Sequence, residues 1–395
     1  MKKYVINFAL ALCAVVLVMP FSSCSDNDDE GKKSYDVSYS MTLPEGLDAA
    51  NVTDLVATIT NKEGVSQTVN LTETNGVINL VQGQYDVLIR GKVTNEQNCY
   101  LQGTGKIDLY ANQATVFTLT KIYESALIFK TIYTAGGKAG YTQDSYFEIV
   151  NNSDEVQYLD GVIMFSASAG QKNANAWQAA GITDMYPMNQ GSVICFPGEG
   201  TDYPLQPGQS VLVANDATAH DTLSNGTHSD LSNADFEVYL DYSKMGDVDY
   251  DATNMDVLFY NNAYMRAFGL GFFSSAMILA KPIGMTAAEY ASSETYLQTT
   301  PGSSSTTLNL VMPSAFVLDA VEVWDKDETE HYSTFLPKDD AQGFLGVEAW
   351  AGKAITRKVA KTVNGRVYYQ DTNNSSADFE LADQVGTYNP TSKVK

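Results

Sequence analysis

From Tyr35 onward the hydrophobic pattern of this chain is a two-residue alternation, which is the period of a strand with one buried face. Val37, Tyr39 and Met41 share one face of a first predicted strand, and residues 55–60 form a second. Asn61-Lys62-Glu63-Gly64 is a turn that closes a hairpin onto 67–71. Residues 77–81 and 85–91 read as a further pair around Gln82-Gly83-Gln84, and 106–110 with 115–121 as a last pair joined by Ala111-Asn112-Gln113. Short strands at regular spacing with turn signals between them predict a β-sandwich, and 35–122 has the length of one Ig-like module.

Ile122-Tyr123-Glu124 is the predicted boundary, and a second domain spans 123–395. Its strands start with 126–133 and continue with Tyr146-Phe147-Glu148-Ile149-Val150-Asn151-Asn152-Ser153-Asp154, which runs into a turn. Leu159-Asp160-Gly161 follows, then Leu205-Gln206-Pro207-Gly208 ahead of the apolar stretch 210–214. Later come Asp319-Ala320-Val321 and the segment from Asp371 to Asp378-Phe379. Pro-Gly at 207–208 fixes a turn that launches a strand, and the Asn/Ser/Asp cluster after Val150 offers side-chain bonds to the backbone. This ordered set resembles the lamin-tail domain, an Ig-like sandwich, enlarged here by long loop insertions at 166–202 and 215–316. The chain as a whole resembles a bacterial surface lipoprotein family, domain of unknown function 4876. That resemblance implies genes near TonB-dependent outer-membrane receptors. The predicted fold is therefore all-β, an Ig-like sandwich followed by an enlarged lamin-tail-like one.

The first 23 residues change the picture from fold to address. Met1-Lys2-Lys3, an apolar run over 5–20 and Ser22-Ser23 before Cys24 have the layout of a secretory signal, and the Cys makes it look like a lipoprotein signal. Cys24 is the predicted lipidation site and residues 24–34 a tether, whose acidic stretch at 26–30 resembles a surface-export signal. The apolar run is shorter than the roughly 20 residues a membrane-spanning helix needs. The expectation is a lipid-anchored protein of the outer membrane, displayed on the cell surface.

Net charge is −23, and becomes −25 once Lys2 and Lys3 leave with the signal, which argues against nucleic acid as a partner. Cys13 leaves with the signal too. Cys99 and Cys195 remain, either paired or as two buried thiols, and fall in different predicted domains.

Candidate chemistry concentrates in the second insertion. His220-Asp221 and His228-Ser229-Asp230 place two of three histidines eight residues apart among carboxylates, a set suited to a transition metal or a haem-bearing ligand. The alternative is a polar loop of turn-forming residues. Asp247, Asp249 and Asp251 alternate in a way that would present oxygens to calcium, but lack the glycine and closing glutamate of an EF-hand. A solvated acidic loop is the competing reading. Trp177, in the first insertion, is a candidate ligand contact if exposed and a core residue if not. The Phe268–Phe273 stretch and Met277-Ile278-Leu279 read as core.

No Gly-x-Ser-x-Gly elbow, His-Glu-x-x-His helix or phosphate loop occurs, so no catalytic residue is assigned and an enzyme is not expected. No cofactor is assigned. The leading expectation is a surface-tethered binding or accessory lipoprotein that helps a TonB-dependent transporter capture a nutrient, with iron, haem or another metal-bearing ligand as one class. A structural or adhesive surface protein, and a glycan- or metal-dependent hydrolase, are the alternatives.

Overall fold

The computed structural model describes residues 33–94, 99–168, 172–223, 226–269, 274–327 and 330–390. The signal segment, the acidic tract, Cys24 and residues 270–273 of the Phe-Gly stretch lie outside the described residues. The chain is all-β and divides into two units, one ending at Tyr123 and the other beginning at Glu124.

The first unit is two sheets on one core. Strands Asn75–Val81, Ser34–Thr42 and Gln113–Thr118 make one sheet, the first pair antiparallel and the second parallel. Strands Ser66–Asn70, Val52–Asn61, Gly83–Val93, Cys99–Leu109 and Thr120–Tyr123 make an antiparallel five-stranded sheet. Alternate residues point inward as expected: Val37 and Tyr39, Leu55, Ala57 and Ile59, Val87 and Ile89 are all buried. The first hairpin forms where the turn at 61–64 predicts it.

The two later hairpins do not form. Asn75–Val81 pairs with Ser34–Thr42 rather than with Gly83–Val93, and Gln113–Thr118 leaves Cys99–Leu109 to pair with Ser34–Thr42. At Gln82 and again at Leu119 the chain crosses from one sheet to the other. Crossing lets Ile78, Leu80, Phe117 and Leu119 keep facing the shared core, where burying such a side chain contributes about 1.5–3 kcal/mol. Gly105 permits one of these contacts, since a Cβ there would lie 2.6 Å from the Phe117 ring.

The second unit is built on a seven-stranded and a six-stranded sheet. The seven-stranded sheet runs Thr253–Asn254, Phe236–Glu237, Ser210–Ala214, Tyr146–Asn151, Leu127–Tyr133, Lys353–Arg357, Phe379–Asp383. The six-stranded sheet runs Asp256–Tyr260, Ser192–Cys195, Ile163–Ala167, Ser274–Ala280, Val317–Asp325, Phe344–Val347. Phe129, Phe147, Met164, Val213, Phe236, Met277 and Val321 fill a core drawn from both sheets. A further core of Phe165, Tyr186, Ile278, Tyr290 and Met312 involves the helix Ala287–Ser292 and a small three-stranded sheet.

The segments 166–202 and 215–316 therefore depart from the expected loops. They supply the strands Ser192–Cys195, Asp256–Tyr260 and Ser274–Ala280 of the six-stranded sheet. Ile163–Ala167 and Ser192–Cys195 are buried at every position, because this sheet carries a core on each face. Such strands have no alternation to read. Cys99 and Cys195 are both buried and neither is in a disulfide. Among the described residues no helix is long and apolar enough to cross a membrane.

Candidate functional site

The predicted histidine segment is woven into the second unit. After the strand Ser210–Ala214, Asn215 is fixed at both ends of its amide: Oδ1 accepts from the Phe268 N–H at 2.7 Å and Nδ2 donates to the Phe268 carbonyl at 3.1 Å. The chain then turns through a short 3-10 helix, His220–Thr222. His220 is fully buried. Its Nε2 lies 3.1 Å from the Asp216 carbonyl and its Nδ1 2.6 Å from the Tyr141 hydroxyl. A carbonyl can only accept, so the partners assign the proton to Nε2, with Nδ1 accepting from Tyr141. Burial lowers the His220 pKa, holding the ring neutral. Both ring nitrogens are thus engaged, and a metal would have to displace one of these bonds. Gly226 sits so close to the His220 carbonyl that a Cβ would lie 1.8 Å from that oxygen, so no side chain fits there.

Thr227, Ser229 and Asp230 are tied down just as firmly. Thr227 donates to Asp144 at 2.6 Å, Ser229 donates to the Val385 carbonyl at 2.9 Å, and the Asp230 N–H donates to the Gly386 carbonyl at 2.6 Å. Asp230 accepts from the Ser232 hydroxyl and N–H, which lowers its pKa. Asp221 and His228 are exposed. The structure thus separates the two histidines, with His228 exposed and the His220 ring held inside. Behind it lies a group of buried acids: burial raises Asp144, Glu237 and Asp216, the last to about 8 with help from the charges of Asp247, Glu237 and Asp144.

The other candidates also have internal partners. Asp247 accepts from the Leu240 and Val248 N–H groups at 2.8 and 3.0 Å, and Asp249 accepts from Asn254 Nδ2 at 2.9 Å, while Asp251 is exposed. Among the described residues no three His, Cys, Asp or Glu side chains are grouped as a metal site requires. Trp177 is buried on the short helix Ala176–Ala179 and donates from Nε1 to Gln298 Oε1 at 3.0 Å, so it is not presented to a ligand. Phe268 and Met277-Ile278-Leu279 are core, as read from the sequence.

The motif residues of the second unit form structural knots. Asn151 donates to the carbonyls of Glu155 and Leu205 and accepts from Ser153. Asp160 accepts from the N–H groups of Gly200, Asp202 and Tyr203, and these bonds hold its carboxyl low against the opposing effect of burial. Asp319, Asp371 and Asp378 converge on the buried guanidinium of Arg357 at 2.6, 3.3 and 3.5 Å.

Among the outward-facing aromatic residues of the second unit, Tyr260 and Tyr264 belong to a tyrosine platform beside the edge strand Asp256–Tyr260. Tyr260 stacks on Tyr242 with ring centroids 4.0 Å apart and planes 5° from parallel, and is 46% exposed. Tyr264 is 63% exposed, with Lys244 Nζ 5.3 Å from its ring centre. The turn between them is rigidly held: Asn261 exchanges bonds with Gly191 and donates to Asn309 at 2.9 Å, and Asn262 accepts from the Tyr264 N–H at 2.9 Å. The Lys244 N–H donates to the Ala263 carbonyl at 2.8 Å, binding the two segments together. Sequence reasoning missed this surface. Its residues are three among 24 tyrosines, and only the fold brings Tyr242 and Tyr264 beside Tyr260 at the end of an edge strand.

Residues 206–385 match the family model DUF4876, a protein of unknown function. The DUF4876 part of the resemblance read from the sequence is borne out over these residues, which hold the histidine segment, the Arg357 cluster and the tyrosine platform. The crystal structure of a DUF4876 family protein from Bacteroides thetaiotaomicron is similar at 24% identity, covering 91% of this chain and 98% of that one with a TM-score of 0.60. At that identity it supports the all-β fold. A candidate cell adhesion protein from Bacteroides eggerthii aligns at 10% identity and a TM-score of 0.19, covering 91% of this chain and 99% of that one. A candidate polysaccharide binding protein from Bacteroides thetaiotaomicron, of the DUF1812 group, aligns at 10% identity and 0.17, covering 30% of this chain and 76% of that one. No curated protein matches the chain.

Proposed function

We propose that this DUF4876 protein is a non-catalytic, surface-tethered binding lipoprotein that serves an outer-membrane transporter. The binding part rests on one observation: Tyr260 and Tyr264 are exposed on either side of a turn that internal hydrogen bonds hold in place. Exposed, preorganised aromatics are what recognition surfaces use, because they offer large contact area at small entropic cost. Surface tethering is supported by Ser22-Ser23-Cys24 and the acidic residues after it. The transporter partner is supported by the family resemblance.

Two measurements test the reading. Protease added to intact cells should digest the wild-type protein, and Cys24→Ala should release it or leave it unprocessed. Survival of the wild-type protein under that treatment would place it inside the outer membrane. The tagged full-length protein, solubilised from membranes, should bring down a TonB-dependent transporter; enrichment no greater than for an unrelated lipoprotein would remove the uptake role.

A further inference from the structure

We infer that the Tyr242–Tyr260–Tyr264 platform is a binding site for a neutral oligosaccharide, with one pyranose ring stacked on the outer face of Tyr260 and a neighbouring one against Tyr264. The inference rests on the binding-protein reading and names the ligand class.

Three features lead to this class. The first is shape. Tyr242 covers one face of the Tyr260 ring in a near-parallel stack and Tyr260 is 46% exposed, so the ring face opposite the stack is the surface a sugar would use. A pyranose chair presents a C–H face of matching size, slightly positive against the negative face of the phenol ring. The second is area. About half of each of two tyrosines is exposed, and at about 150–250 Å² per ring this is roughly 200 Å², far below the roughly 800 Å² per partner of a stable protein interface. The patch suits a few sugar rings better than a folded partner. The third is charge. Asp241, Asp249, Asp251 and Asp256 are exposed on the segments that carry the platform, and the chain's net charge is −23. That field disfavours uronates and sulfated sugars, while carboxylates and the nearby Lys244 ammonium can hydrogen-bond sugar hydroxyls.

Preorganisation completes the case. Asn261 is fixed by Gly191 and Asn309, and the 243–245 segment is joined to 263–265 by the Lys244–Ala263 and Ser243–Met265 bonds. Little ordering is left for the ligand to impose.

The test uses the full-length processed protein on an array of neutral and anionic plant and host glycans, followed by calorimetry with the best tetra- to hexasaccharide. Binding to neutral glycans is expected. Tyr260→Ala and Tyr264→Ala should each weaken it about fivefold to tenfold, matching the roughly 1 kcal/mol of an aromatic contact. Tyr260→Phe, which keeps the ring, should retain it within about twofold. Melting temperatures of the variants show whether the fold is intact, and Tyr264→Ala leaves the Tyr242–Tyr260 stack in place. No binding to any neutral glycan, preference for anionic ones, or binding untouched by both alanine variants would overturn the proposal. A transporter that still co-purifies in that case would leave the binding-lipoprotein reading standing and remove only the sugar.

Discussion

Arg357 is the residue whose loss the fold of the second unit should feel most. Its guanidinium is fully enclosed, and every arm of the fork is used. Nε donates to the Phe129 carbonyl at 2.7 Å, Nη1 to the Gln370 carbonyl at 2.9 Å and to Asp371 and Asp378, and Nη2 to Asp319 at 2.6 Å. The Phe379 ring lies 4.6 Å from its centre. Phe129 and Arg357 belong to the seven-stranded sheet and Asp319 to the six-stranded one, so this single cation joins the two sheets and the 371–378 segment. Arg357→Met keeps an apolar stem but leaves buried carboxylates without their counter-charge. Breaking a buried pair from one side costs about 3–5 kcal/mol, which for a unit of this size corresponds to a fall in melting temperature of about 6–20 °C. The deficit should depend on pH. Burial already raises Asp319, and it pushes Asp371 up to about 7. A carboxyl whose folded pKa is raised contributes most below its unfolded value near 3.8 and loses that contribution as pH rises through the folded value. Without Arg357 ionisation is harder still, so the deficit should be largest above pH 7 and smaller at pH 5. Thermal melts of wild type, Arg357→Met, Asp319→Asn and the double variant at both pH values measure this. A Met variant melting within about 1 °C of wild type, or a deficit that grows toward pH 5, would refute the reasoning.

Three further outcomes are expected. His220→Ala should destabilise by about 1–3 kcal/mol by stranding the Tyr141 hydroxyl and the Asp216 carbonyl, whereas His228→Ala should shift stability by less than about 0.5 kcal/mol; chemical denaturation separates the two. Because burial lowers the His220 pKa, its contribution is full above the unfolded value near 6.5 and is lost as pH falls through the folded value, so the gap between wild type and a His220→Gln variant should narrow from pH 7.5 to pH 5 in melting experiments. Burial pushes the Cys195 thiol up to about 12, so it should resist alkylation in the native protein and react fully in denaturant, as read by mass spectrometry.

How far the sequence reaches depends on whether a feature leaves a local pattern. In the first unit alternation was visible because each sheet has one buried face, and Val37, Leu55, Ile59 and Ile89 point inward as their spacing requires. Pairing was not visible. Residues 75–81 and 83–93 look like a hairpin from their spacing, but the sheet change at Gln82 is decided by which side of the core has room, and that is a tertiary matter. In the second unit the strands Ile163–Ala167 and Ser192–Cys195 escape a period-two reading because both faces are covered. The polar motifs were legible as positions and misleading as chemistry. Asp319 is far along the chain from Asp371 and Asp378, and only the fold shows that all three share Arg357, which no motif had singled out. His220 illustrates the same divide: an imidazole among carboxylates suggests a ligand set, but its two nitrogens face a hydroxyl and a carbonyl inside the protein. Residues dense in hydrogen-bonding capacity tend to be recruited to satisfy buried backbone and to clamp long segments, since an unmet polar group inside costs about 1–3 kcal/mol. Recognition is then left to residues free of that duty. Tyr260 and Tyr264 meet this condition at the sheet edge, where a strand has a neighbour on one side only and the adjoining turn can offer rings to solvent.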